Sequence, residues 1–297
     1  MKFLAKLLVG ALLCSAIPIS AQDCCPTSWN SSGECCNFSV YGEFLYWDFC
    51  TLENERGAGN GFETLQFASD YQPGYRVGGS MDLSCWQIAL RYTSLETKKS
   101  VSGATGSISF EQREQQFDYS VLDIIFGAPI GFSCLCGSFT PYVGVKLAWI
   151  DGRSLFEQIN SFSYIYTNDF SGYGLTFGTS LRLKIWESCL PTYFVTDISC
   201  SLLKGKFKTE NLLFISPTGT LRPLENACSI LFVPEIYVGL NFDLFQCNCF
   251  EFTGSIGYEA QLWTSYMFIF AGANDSDRRE VGSLGINGLV ARLAVSF

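Results

Sequence analysis

Ser171–Trp186 reads SGYGLTFGTSLRLKIW. Its odd positions from Tyr173 run Tyr, Leu, Phe, Thr, Leu, Leu, Ile. Its even positions from Gly172 run Gly, Gly, Thr, Gly, Ser, Arg, Lys, before the stretch ends on Trp186. Side chains alternate across a strand, so one face is apolar and the other small, polar and finally cationic. A helix of this length would scatter both classes around its circumference. The strand is long, and its polar face lacks the Lys/Glu coat of a soluble sheet. Neither face is suited to bulk water.

The same alternation recurs along the chain. Strands are expected over 37–49, 74–83, 85–97, 117–129, 141–149, 171–186, 193–204, 230–242, 250–263 and 285–297. Within 117–129 the alternation blurs at Asp123-Ile124-Ile125, which a β-bulge would explain. Long polar connections are expected over 51–72, 98–116, 153–169, 205–228 and 271–280, and short turns lie between the others. An even number of strands with alternating long and short connections marks an outer-membrane barrel.

Met1–Ala21 has Lys2 and Lys6, an apolar core and a small-residue end, the layout of a secretory signal peptide. Segment 22–36 is polar and carries the pairs Cys24-Cys25 and Cys35-Cys36, leaving 37–297 for the barrel. Charged residues make up 16% of the chain, against ~25% in an ordinary soluble protein. Mean hydropathy is nevertheless positive, at +0.19, and no stretch reaches the ~18 apolar residues of a spanning helix. Apolar residues facing lipid from strands reconcile these facts. The expected fold is therefore all-β, a transmembrane antiparallel up-and-down barrel of about ten strands, or twelve if loop segments pair. Short turns would be periplasmic and long loops extracellular.

Tyr and Trp at strand ends would form the interfacial girdles: Trp47, Trp86, Tyr92, Trp149, Tyr173, Trp186 and Trp263. Phe297 would serve as a C-terminal assembly signal. The lumen-facing positions carry both signs: Glu43, Arg76, Asp82, Arg91, Asp118, Lys146, Arg182, Lys184, Asp197, Glu235, Glu251, Glu259 and Arg292. In a hydrated lumen such opposed walls would pass small polar solutes. In a lumen as narrow as ten strands allow, the same residues could pair and plug it.

The chain has no histidine, which removes His-based nucleophilic arrangements and the usual metal sets, so neither an enzyme nor a cofactor is expected. The net charge of −9 argues against a nucleic-acid partner. Gly57–Gly61 is glycine-rich but lacks the strand–loop–helix context of a phosphate site. Of fourteen cysteines, Cys14 lies in the signal peptide, so an odd number enters an oxidising compartment. Most cluster at the N-terminal segment and the short turns: Cys24, Cys25, Cys35, Cys36, Cys85, Cys134, Cys136, Cys189, Cys247 and Cys249. They are candidates for intrachain bridges or for links to other envelope proteins or further copies of the chain. Cys50 and Cys228 lie toward the loop side, and Cys200 faces lipid.

GEFLYW (Gly42–Trp47), PYVGVKLAWID (Pro141–Asp151), DFSGYGLTFGTSLRL (Asp169–Leu183) and GYEAQLW (Gly257–Trp263) together resemble the Legionella-type major outer membrane proteins. That family also occurs in environmental relatives of chlamydiae. The resemblance implies a β-barrel in a Gram-negative outer membrane, with porin activity, a structural role and adhesion to host cells. The expected function is porin-like solute passage with disulfide-supported envelope structure. The alternatives are a closed structural barrel, or an adhesin whose loops contact a host ligand. A soluble secreted β-protein is the weakest reading. Outer-membrane lipid is the expected partner in the first two.

Overall fold

The computed structural model describes residues 38–52, 71–83, 85–105, 108–132, 137–158, 162–187, 190–215, 218–247, 250–270 and 278–297. These form β1 (Phe38–Leu52), β2 (Gln72–Leu83), β3 (Trp86–Thr105), β4 (Ile108–Gly127), β5 (Ile130–Phe132) and β6 (Gly137–Gln158). They continue as β7 (Phe162–Trp186), β8 (Thr192–Ile215), β9 (Thr218–Cys247), β10 (Phe250–Phe270) and β11 (Arg278–Ser296). Each strand is antiparallel to its neighbours, and β1 pairs with β11, so the sheet closes on itself. β4 and β5 both pair with β6 and are one stave interrupted at Ala128–Pro129. Proline cannot donate to a ladder. The Ala128 amide holds the break by donating to the Pro141 carbonyl at 3.0 Å. The barrel therefore has ten staves and no free edge.

Register fixes the barrel's width. The pairings run from Val295 through Val40, Gly79, Leu90, Ile124, Val145, Leu175, Leu202, Phe232 and Thr264 to Ser283. One circuit thus returns to β11 twelve residues up the strand. Ten staves with that stagger give a tilt of ~40° and a backbone radius of ~10 Å. Side chains ~6–7 Å long reach most of the way to the axis of a round wall, so contact between opposite walls requires a flattened cross-section.

Alternation decides what each wall meets. Leu175, Phe177, Leu202, Ile256 and Leu293 project outward and are about half exposed, forming the outward apolar band by which a barrel meets lipid. Leu45, Tyr119, Ile150, Leu203, Leu231 and Leu284 project inward and are fully buried. The core of this molecule lies inside the barrel.

Three stretches expected as loops are mostly strand. β3 runs to Thr105 and β4 starts at Ile108, β6 and β7 approach each other at Gln158 and Phe162, and β8 and β9 at Ile215 and Thr218. Their polar composition resembles loop sequence, but cross-strand pairing satisfies the backbone beyond the lipid band as well as within it. The other two expected loops, 51–72 and 271–280, lie outside the described residues except at their ends, where 51–52, 72 and 278–280 belong to β1, β2 and β11.

The β3–β4 register also corrects the expected bulge at Asp123-Ile124-Ile125. Pairing continues without a shift from Gln87–Gly127 to Val101–Arg113. Ile125 and Asp123 both face inward, and an isoleucine on the inner wall is what blurred the pattern. With the phase unbroken, Asp118 lies on the outer face, between the inward Phe117 and Tyr119. It is therefore not lumen-lining. Its register partners are Glu96 and Asp151, also on the outer face.

Candidate functional site: the barrel interior

The inner wall falls into three layers. Toward the long-hairpin end it is aromatic. Tyr119 of β4 sits edge-on to Trp47 of β1 at 6.0 Å and to Trp263 of β10 at 5.9 Å. Phe170 of β7 continues the stack to Phe207 at 4.8 Å and to Tyr266 at 6.3 Å. Edge-to-face and tilted rings at these separations are the favoured arrangements. Tyr266 reaches the interior because β10 shifts register between Thr264 and Tyr266. Ser265 there has φ 61°, a left-handed conformation that costs a non-glycine residue ~1–2 kcal/mol. Trp47 and Trp263, expected in the girdles, are thus fully buried core residues. Trp86, Trp149, Tyr173 and Trp186 are exposed on the outer face, and Tyr92 is partly exposed there.

The middle layer is charged, and its charges are paired. Arg76 donates from Nη1 to Glu43 Oε2 at 2.7 Å and grips Glu259 with both terminal nitrogens at 2.9 Å. Its Nε donates to Thr93 Oγ1 at 2.8 Å, and its guanidinium lies 5.3 Å from the Trp47 ring. Arg292 holds the other Glu43 oxygen through Nε at 2.5 Å. In the other half, Lys146 Nζ stands 2.6 Å from Glu235 Oε1 and 3.0 Å from Asp123 Oδ1. Arg91 donates to Asp123 Oδ2 at 2.9 Å and reaches Glu235 Oε2 at 3.7 Å. Four cations thus face four carboxylates.

Register explains half of this arrangement and curvature the rest. Arg292, Glu43 and Arg76 are direct neighbours on β11, β1 and β2, and Arg91, Asp123 and Lys146 on β3, β4 and β6. Glu259 and Glu235 join from across the barrel. β3 and β9 are five staves apart by either route, as are β4 and β10. The Arg91–Glu235 pair therefore joins opposite staves. So does the hydrogen bond that Tyr119 donates to Gln261 Oε1 at 2.9 Å. Gln261 in turn donates to Glu259 Oε1 at 2.7 Å, tying the aromatic layer to the charged one.

The layer toward the short turns is polar. Tyr142 donates to Asp197 at 2.6 Å, and the Thr176 and Ser201 hydroxyls pair at 2.8 Å. Arg182 donates to Asp243 at 3.1 Å while stacking 3.9 Å above the Tyr193 ring. Gln87 donates to Asp82 at 2.9 Å. Glu251 is partly buried on the inner face at this mouth. Lys184 hydrogen-bonds Glu187 in the following turn, and this contact draws the exposed Glu187 carboxyl below its ordinary pKa.

Seven of the expected lumen residues therefore meet in one cluster: Glu43, Arg76, Arg91, Lys146, Glu235, Glu259 and Arg292. Asp82, Arg182, Lys184, Asp197 and Glu251 lie nearer the short-turn mouth. Asp123 completes the cluster and was missed because the assumed bulge obscured the phase of β4.

The small face of β7 and its neighbour on β8 accommodate aromatic rings. A Cβ at Gly178 would lie 2.4 Å from the Tyr142 ring, and one at Gly205, on β8, 2.2 Å from the Phe170 ring. Aromatic side chains from the inner wall lie over the glycines, which is why only glycine fits beneath them.

Of the candidate disulfide cysteines, Cys85 lies in the β2–β3 turn and Cys247 ends β9, both at the short-turn end. Cys24, Cys25, Cys35, Cys36, Cys134, Cys136, Cys189 and Cys249 fall outside the described residues. Phe297 and Phe38 exchange backbone hydrogen bonds of 2.9 and 3.3 Å, and the Phe297 ring meets Phe250 at 5.9 Å.

Solved structures with a similar fold share little sequence. The outer membrane protease OmpT from Escherichia coli is 6% identical, with a TM-score of 0.46 over 88% of this chain and 96% of that one. The translocator domain of the autotransporter NalP from Neisseria meningitidis is 9% identical, with a TM-score of 0.42 over 89% of each chain. No curated protein matches the sequence. The family described as Legionella pneumophila major outer membrane protein precursor matches residues 32–297, the whole of the barrel and the last residues of the segment before it. The chain belongs to that family and is an outer-membrane β-barrel protein of a Gram-negative envelope.

Proposed function

We propose that this protein is a closed structural barrel of the outer membrane, non-enzymatic, whose extended hairpins form its contact surface beyond the lipid. The observation that carries this reading is the pair of contacts between opposite staves, Tyr119–Gln261 and Arg91–Glu235. A water-filled pore keeps its opposing walls apart. Here ion pairs and stacked rings join them, and the central charges balance. Buried carboxylates and cations are stable in such a place only when paired and hydrogen-bonded. This makes the inner wall a core instead of a conduction path, in place of the solute passage that the family resemblance implied.

Proteoliposome swelling tests the reading. Vesicles containing the refolded protein, diluted into an isosmotic small sugar, are expected to swell no faster than protein-free vesicles. Swelling that falls with sugar size would contradict it.

A further inference from the structure

The outer face of β8 changes character abruptly. Ser201, Leu203, Gly205 and Phe207 point inward and are buried, while Leu202, Lys204, Lys206 and Lys208 point outward and are exposed. Three ammonium groups thus stand in a column at two-residue spacing, ~7 Å apart along the strand. Leu202 ends the apolar band below them. Lys204 lies between Tyr173 on β7 and Ile230 on β9, both strongly exposed, and Lys206 between Ser171 and Cys228. No carboxylate occupies any of these four flanking positions. Asp169 stands opposite Lys208 only.

The level of the column also matters. Tyr173 and Trp149, two of the outward aromatic residues of the upper girdle, lie in its lowest two register rows. That girdle marks the headgroup depth of the leaflet on the long-hairpin side, which is the outward leaflet when the short turns are periplasmic. Like charges aligned on one face repel each other unless an anion lies between them. At this depth the anion available in quantity is a lipid phosphate.

We propose that Lys204 and Lys206 form a docking site for the phosphate of a lipid headgroup in the outward leaflet. The lysine stems lie along the apolar band and the ammonium groups snorkel to the phosphate. Tyr173 and Ile230 flank the first sugar or acyl ester carbons. This site lies on the outer wall and does not depend on whether the lumen is closed.

The test uses the full-length barrel in mixed micelles of a zwitterionic detergent, titrated with lipid A or with phosphatidylcholine. Wild-type protein is expected to bind lipid A selectively. Each basic residue near an anionic surface contributes about fivefold, so Lys204→Gln/Lys206→Gln should weaken lipid A binding about thirtyfold. Lys204→Arg/Lys206→Arg should retain it, and so should Arg153→Gln, an exposed cation on β6 outside the column. All these positions face outward, and heat-modifiable gel migration checks folding. Wild-type affinity in the Gln/Gln variant would overturn the proposal. So would an equal loss in Arg153→Gln, which would indicate diffuse charge attraction. Displacement of lipid A by equimolar inorganic pyrophosphate would also overturn it, because it would assign the site to free phosphate.

Discussion

Lys146→Met removes one cation from the interior and puts the paired core to a quantitative test. The Lys146 side chain is 1% exposed, with Nζ 2.6 Å from Glu235 and 3.0 Å from Asp123. Methionine has similar length and no charge. Four carboxylates would then face three cations, with two of the carboxylates around a neutral side chain. Removing one partner of a buried ion pair costs ~3–5 kcal/mol. In a hydrated lumen the same residue would form a solvent-exposed pair, worth ~0.2–1 kcal/mol. Urea unfolding in phospholipid vesicles, followed by tryptophan fluorescence, resolves that difference when the slope is unchanged. Lys146→Met/Asp123→Leu supplies the control. It restores the charge balance and leaves Arg91 with Glu235, so stability should return to within ~1–2 kcal/mol of the parent. A single-variant cost below ~1 kcal/mol would refute the reasoning. A double variant as unstable as the sum of its two singles would refute it too.

Two further outcomes follow from the inner wall. Gly178→Val drives a branched side chain into the Tyr142 ring and breaks its hydrogen bond to Asp197. The expected destabilisation is ~1–3 kcal/mol in the same unfolding assay, and a neutral result would show that the ring does not rest on the glycine. Among single-tryptophan variants in brominated-lipid vesicles, those keeping Trp86 or Trp186 should be quenched strongly, and those keeping Trp47 or Trp263 should not. Strong quenching of Trp47 would place it outside the barrel.

The architecture was legible wherever a strand kept a clean period of two. Ser171–Trp186 is the clearest case: its apolar odd positions from Tyr173 to Phe177 face lipid, and its glycines face inward. What alternation alone does not convey is what lies across the lumen. Gly172, Gly174 and Gly178 read only as a small face, yet the rings covering Gly178 and Gly172 belong to Tyr142 and Phe170. Trp47 and Trp263 carried the composition of a girdle, but their phase put them opposite Tyr119. The phase they share with Glu43 and Glu259, four residues earlier, already held that information. Asp118 and Asp123 exchanged roles for a local reason. Ile125 faces inward beside the polar cluster, so hydropathy contradicts the phase that the ladder imposes. Polar stretches such as 98–116 read as loops because composition reports the solvent around a strand and not its hydrogen bonds.

Planar-bilayer recording of the refolded protein is the most direct test of a closed interior. At high salt and moderate voltage, a barrel whose opposite walls are joined through Tyr119–Gln261 and Arg91–Glu235 should give no stable unitary steps. Reproducible steps of one size that scale with salt concentration would show a continuous aqueous path and contradict it.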